Sequence, residues 1–298
     1  MSADILVVTH EQDREAGDSA ATLNILVRLW RQMGLTVAFQ NGLARSARIE
    51  AAVAINHVDL TVTPARYSRF LARFPRAING RLTDISKTRY CRDLVCSAGD
   101  HDGPVLVKTN LNYGGIKEYR LLERRRRWRK RVLGFLSPLW SSGSDEATLD
   151  WSRVARLEPA SYPIYGHPSL VPAAVWENPN LVVQRFLPER DDRGRYLLRS
   201  WYLLGDWGFH VVTVANEPVI KGSNIIERRV VDLETPVELA AVRNELGVDY
   251  GRFDYVMVDG KPVVYDINRT PTSSPAAVAY YAPQWSQLAE GITAFLGG

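Results

Sequence analysis

Residues Gly251 to Ser274 read Gly-Arg-Phe-Asp-Tyr-Val-Met-Val-Asp-Gly-Lys-Pro-Val-Val-Tyr-Asp-Ile-Asn-Arg-Thr-Pro-Thr-Ser-Ser, and this stretch decides the fold. Two apolar, β-branched runs flank Val258-Asp259-Gly260-Lys261. Asp-Gly between such runs predicts a tight β-hairpin. Side chains alternate along a strand, so Asp254, Val256 and Val258 are expected on one face of the first strand. Val264, Asp266 and Asn268 are expected on one face of the second. Two carboxylates and an amide oxygen then converge across the hairpin. Such hard donors suit Mg²⁺, which takes one or two carboxylates and completes its octahedron with water and substrate phosphates. The competing reading is a solvated face that carries acids. Asp is depleted inside strands rich in Val, Tyr and Ile unless something recruits it, which favours the metal.

A Phe-Asp-Tyr strand, a turn, and a strand ending in acid-x-Asn-x-x-Pro resembles the metal-binding hairpin of ATP-grasp enzymes. That resemblance implies an α/β ATP-grasp fold with α+β character in the C-terminal part. It implies Asp254, Asp266 and Asn268 as ligands of Mg²⁺, one or two ions, with Mn²⁺ as a substitute. It also implies ATP as cofactor, spent to activate a carboxylate as an acyl phosphate that an amine or thiol attacks. The family more often has Glu where this chain has Asp266.

A chain of 298 residues allows one or two domains, and 46% apolar residues allow a sizeable core. The net charge of +4 is mildly basic, which suits anionic ligands such as nucleotides but is too small to argue for nucleic acid. No apolar run reaches the roughly 18 residues of a membrane span. The N-terminus shows no secretory pattern, and Cys91 and Cys96 read as ordinary thiols, so a reducing cytoplasm is expected.

Asp4 to Thr9 is a continuous apolar run, as in a parallel sheet. Leu23, Leu26, Val27, Trp30 and Met33 recur at helical spacing, with Gly34 as the stop. Leu35 to Phe39, Ala51 to Ile55 and Arg76 to Asn79 predict strands. Thr63-Pro64 predicts the start of a helix running through Phe74. This alternation predicts an N-terminal open α/β layer over 1–83. The ATP-grasp domain is expected over 84–298, with a lid subdomain at roughly 104–187 by the resemblance. No Gly-x-Gly-x-x-Gly follows the first strand. His10 and Asp18 lie where open sheets place ligands, although a polar loop is the preferred reading.

Asp84 is the expected N-cap of the next helix, with Lys87 one turn in. Lys108 ends a strand, and Gly114-Gly115 follows. A lysine and a small-residue loop suit phosphate, through charge and close backbone N–H groups. The resemblance carries Lys87, Lys108, Gly114 and Gly115 over as phosphate contacts. It matches Gln184, Arg185, Phe186 and Leu187 to the hinge that hydrogen-bonds adenine, and Glu189 to the ribose acid. An ordinary loop carboxylate is the competing reading of Glu189. Arg199, inside the strand-like run Tyr196 to Leu204, needs an anion, because an unpaired buried charge is costly; it is expected, with Arg252 or Arg269, to stabilise the charge that develops as an acceptor carboxylate attacks γ-phosphate. Arg252 and Arg269 bracket the acids, either as clamps on γ-phosphate or substrate carboxylate or as rim ion pairs.

Arg120, Arg124 to Arg127, Arg129, Lys130 and Arg131, with Trp128, read as a helix with a solvated basic face. Leu136 to Glu158 reads as a flexible insertion or lid loop. Thr235-Pro-Val-Glu is a capping box opening a helix that ends at Gly247, and Trp285 to Leu296 predicts a final helix. These readings converge on a ligase using ATP and a small-molecule or peptide acceptor that carries a carboxylate. An ATP-grasp kinase, a nucleotide-sugar glycosyltransferase and a nucleic-acid-binding module are the alternatives. The sequence leaves oligomeric state open and admits a homodimer.

Overall fold

The computed structural model describes residues 2–13, 22–43, 49–133, 149–159 and 162–297, with backbone alone over 125–133. The chain divides into two compact units: Met1–Ile85 with Pro188–Gly298, and Ser86–Leu187.

The first unit opens with four parallel strands, β1 (Ser2–Thr9), β2 (Val37–Asn41), β3 (Glu50–Asn56) and β4 (Arg76–Ile78), in the order β2-β1-β3-β4. Ile5 to Val8 are wholly buried, which is why this strand reads as an unbroken apolar run. Helices α1 (Thr22–Gln32) and α2 (Ala65–Leu71) complete the layer. α1 buries Leu23, Leu26, Val27 and Trp30 as expected, whereas Met33 falls beyond its end and is exposed. α2 stops at Leu71 rather than Phe74, and Pro64, not Thr63, is its N-cap. Thr63 is engaged elsewhere: its N–H donates to the Thr83 carbonyl and its hydroxyl accepts from buried Arg269.

The second unit holds α3 (Lys87–Tyr90), β5 (Leu94–Val95), β6 (Val105–Thr109), α4 (Ile116–Leu133), β7 (Ile164–Tyr165), α5 (Ala173–Trp176) and β8 (Leu181–Arg185). Its sheet runs β5-β8-β6-β7, antiparallel throughout. The basic run falls on α4, so its predicted helix is present. Of the expected loop at Leu136 to Glu158, residues 136–148 lie outside the described residues, as does Asp18. The rest is packed: Trp151, Val154 and Leu157 are buried, and the Asn178 amide donates to the Trp151 and Val154 carbonyls at 2.8 Å each.

The first unit then resumes with β9 (Glu189–Arg190), β10 (Tyr196–Leu204), β11 (Trp207–Ala215), β12 (Glu227–Val231), α6 (Val237–Leu246), β13 (Tyr250–Val258), β14 (Lys261–Asn268), α7 (Pro275–Tyr280), α8 (Ala282–Glu290) and α9 (Thr293–Leu296). The sheet is antiparallel, in the order β12-β11-β10-β13-β14, with β9 on β10. The final helix is two helices, broken at Gly291. One sheet face carries Tyr202, Leu204, Phe209 and Val211 into a core shared with α1 and α8. There Trp285 meets Phe209 and Tyr202 edge-on, with ring centroids 5.0 and 5.1 Å apart. Such contacts add to the burial of large aromatic surface.

The opposite face carries His210, stacked on Trp201 at 5.7 Å. Its ring nitrogens pair with the Tyr255 hydroxyl at 3.0 Å and the Thr235 hydroxyl at 3.1 Å. Thr235 is therefore not the α6 cap; Pro236 holds that position. Burial first, and Arg199 second, push the His210 pKa down from 6.5 to about 4. The fold favours neutral imidazole, so this contribution is full above pH 6.5 and disappears as pH falls through about 4. At about 1.4 kcal/mol per pKa unit, the effect is on the order of 3 kcal/mol. Thermal unfolding followed at pH 7, 5.5 and 4 should show this acid loss, and His210→Gln should flatten it.

Candidate active site

The hairpin forms as its sequence predicts. Val258 pairs with Lys261, leaving Asp259 and Gly260 as a two-residue loop with φ of 49° and 76°. Positive φ at both positions is the primed turn whose twist matches the strands, and Gly260 supplies it without steric cost. The pairing places Asp254 opposite Asp266 and Arg252 opposite Asn268. On the other side of β13, Ser200 opposes Asp254 and Tyr202 opposes Arg252. Two rows therefore cross three strands on one face: Ser200, Asp254, Asp266, and Tyr202, Arg252, Asn268.

A bulge follows these rows. Tyr255 opposes Val264, so Tyr265 is the extra residue on β14. Strict alternation expected Val264 on the face of Asp266, but it pairs with Tyr255, whose side chain leaves the opposite side of β13 from Asp254. Bulges re-aim side chains in this way.

Asp254 is buried and held at both oxygens. Ser200 Oγ donates to Oδ1 at 2.6 Å, and Arg252 Nη2 donates to Oδ2 at 2.8 Å. Burial works against the Arg252 charge, but Asp254 and then Tyr202 outweigh it and raise the arginine pKa above its ordinary value. Arg252 lies against the Tyr202 ring, 5.7 Å from its centroid. Among the described residues, no group of three or more His, Cys, Asp or Glu side chains could hold a metal ion. The face instead offers two carboxylates and one amide oxygen. That donor set fits a hard cation whose other positions go to water and phosphate, rather than one in an all-protein cage.

The other two candidate arginines are engaged away from this face. Arg199 and Glu189 are each other's partners, with Nη2 to Oε1 at 2.6 Å and Nε to Oε2 at 2.9 Å. Glu189 also accepts the Met257 N–H at 2.7 Å. The expected anion for Arg199 and the expected ribose acid are thus one ion pair tying β9 and β10 to β13. Arg269 is wholly buried and donates to the Thr63 hydroxyl and the Thr61 carbonyl.

In the second unit, Lys87 and Lys108 are both buried. Ser86, not Asp84, is the N-cap of α3, so Lys87 is its first residue rather than one turn in. Asp84 forms an isolated bridge with Val62 instead. Lys87 Nζ donates to the Leu111 carbonyl at 2.9 Å, and Lys108 Nζ lies 5.7 Å from the Tyr162 ring centroid. Both ammonium groups act on Cys91: burial pushes its thiol up to about 11, and Lys108 and Lys87 pull the other way. The two lysines therefore share one neighbourhood.

Gly114 has a structural reason of its own. Its φ is +64°, and a Cβ there would stand 2.0 Å from the Leu157 carbonyl oxygen. Gly115 likewise lies against the Ala155 carbonyl. At the expected hinge, Gln184 is buried on β8, and the N–H groups of Arg185 and Phe186 donate to the Asp93 and Pro104 carbonyls at 2.8 Å each. Those two N–H groups are committed within the unit.

A cavity of about 390 Å³ at the β10–β11 turn is lined by Trp201, His210, Thr235 and Arg243 among others, and by none of the metal or phosphate candidates.

No family model matches the sequence, and no curated protein matches it. Among solved structures, D-alanine–D-alanine ligase from Bacillus anthracis superposes with a TM-score of 0.50 at 12% identity, over 99% of this chain and 97% of that one. The chain has the ATP-grasp fold. PsnB, an ATP-grasp ligase solved with a phosphomimetic variant of its minimal precursor, Mg and ADP, gives a TM-score of 0.49 at 13% identity over 99% of each chain. A RimK domain ATP-grasp protein from Sphaerobacter thermophilus gives 0.47 at 14% identity over 98% of this chain and 100% of that one. The fold assignment rests on the first of these.

Ser200 and Tyr202 were not among the sequence candidates, because only the β10–β13 register brings them to the acids. Gly114→Ala should lower the thermal midpoint of the chain and raise its susceptibility to proteolysis near Leu157, since a left-handed φ and a backbone clash are imposed together. A wild-type midpoint would contradict the geometry of this loop.

Proposed function

We propose that this chain is an ATP- and Mg²⁺-dependent ligase that activates a carboxylate as an acyl phosphate for attack by an amine or thiol. One observation carries this: Asp254, Asp266 and Asn268 converge on one face of a bulged hairpin in a chain with the ATP-grasp fold. Asp254, Asp266 and Asn268 would hold Mg²⁺, which when bound neutralises phosphate charge and supplies a Lewis acid. Lys87 and Lys108 would neutralise the remaining triphosphate charge. Arg252, on the same face as the acids, would stabilise the charge that develops at γ-phosphate. Arg199 and Arg269 hold the frame instead, through Glu189 and through Thr61 and Thr63.

In the first step an oxygen of the acceptor carboxylate bonds to the γ-phosphorus and the bond to the ADP oxygen breaks. In the second the amine or thiol bonds to the acyl carbon, phosphate leaves, and the nucleophile loses its proton. The acceptor is a small molecule or peptide bearing a carboxylate. Among the described residues no helix is long and apolar enough to cross a membrane. The two free cysteines, Cys91 and Cys96, suit the cytoplasmic setting proposed for the chain.

Asp266→Ala should reduce ATP turnover on the order of 100-fold, measured as ADP release with a mixture of carboxylate and amine acceptors. Wild-type turnover would contradict the metal assignment. Free phosphate in the product mixture marks a ligase, whereas a stable phosphorylated acceptor would replace this reading with a kinase.

A further inference from the structure

The orientation of Asp254 is not left to its own rotamers. Ser200 stands directly across β10 from it, buried, between Val211 on β11 and Asp254 on β13. Its hydroxyl donates to Oδ1 at 2.6 Å, while Arg252 takes Oδ2 at 2.8 Å. A hydroxyl donating to a carboxylate at this distance makes a short, charge-assisted bond. The carboxylate plane is thereby fixed by one partner on each oxygen. The row that begins at Ser200 and passes through Asp254 ends at Asp266, so any cation shared by the two acids depends on where that plane points.

We propose that Ser200 is a positioning residue for the cation. By holding Oδ1, it presents the remaining lone pairs of Asp254 toward Asp266 and Asn268 and so sets cation affinity. This rests on the Mg²⁺ site proposed above. A serine present only to fill space would be replaceable by alanine without effect on a cation. One that orients a ligand would not be, because a ligand's hydrogen-bond partners are typically worth about 10- to 100-fold in metal affinity. The smaller the tolerance of the ion, the larger the loss. Mg²⁺ demands a near-ideal octahedron, whereas Ca²⁺ accepts irregular geometry, so loosening Asp254 should penalise Mg²⁺ more than Ca²⁺.

The test titrates Mn²⁺ into the full chain with ADP present, following bound ion by its paramagnetic resonance signal, with Mg²⁺ and Ca²⁺ as competitors. Ser200→Ala should weaken Mn²⁺ binding about 10- to 100-fold and reduce the advantage of Mg²⁺ over Ca²⁺. Ser200→Thr, which keeps the hydroxyl, should retain most of the affinity. Ser200→Cys, close in volume but a weak donor, should behave like alanine and serves if Ser200→Ala does not fold. Wild-type affinity in Ser200→Ala or Ser200→Cys, with Asp266→Ala weakened, would overturn the role of Ser200 and leave the metal site standing. Absence of protein-bound Mn²⁺ in the wild-type chain with ADP would overturn both.

Discussion

Two carboxylates held directly opposite each other on neighbouring strands repel, and nearly everything around the hairpin bears on that repulsion. Like charges at a cross-strand pair are destabilising, and Asp254 has little water to screen it. Arg252 on Oδ2 and Ser200 on Oδ1 offset part of the cost. A divalent cation would offset the rest. The Asp259-Gly260 turn fixes the register of the apolar pairs, and a bulge at Tyr265, between those pairs and the acids, shifts it by one so that Asp254 stands opposite Asp266.

The same face is also packed into the core. Moving along β10 and β11 away from the acids, it becomes Leu204, Phe209 and Val211 under Trp285 and α1. Side chains of that size pack the strands that carry Ser200 and Arg252, so the row of Ser200, Asp254 and Asp266 is built on packed elements rather than on a loop. The Glu189–Arg199 pair, with the Met257 N–H, adds a second anchor between β9, β10 and β13. Breaking one partner of such a pair leaves the other charged and half-buried, which costs stability.

What could be read from the chain alone follows the range of each interaction. The hairpin, its turn and the N-terminal parallel layer were legible because alternation, Asp-Gly and apolar runs are local. The face of Val264 was not, because a bulge shows only when two strands are paired. Ser200 was invisible for a similar reason: its partner lies 54 residues away, and nothing in Tyr196 to Leu204 separates it from a filler serine. Arg199 was correctly expected to need an anion, but the anion proved to be Glu189, itself a ligand candidate. Gly114 and Gly115 were read through phosphate alone, whereas the Leu157 and Ala155 carbonyls also exclude any side chain there. Thr235 had the spacing of a cap and was claimed instead by a buried histidine.

The most direct test is the thermal midpoint of the full chain with Mg²⁺ and ADP, compared with ADP plus chelator and with Mg²⁺ and a UDP-sugar. A ligand that binds only the native state raises the midpoint by mass action. A rise that requires both Mg²⁺ and the adenine nucleotide is the expected result. No rise at saturating Mg-ADP, or an equal rise with the UDP-sugar, would contradict a magnesium–adenine nucleotide site built on Asp254, Asp266 and Asn268.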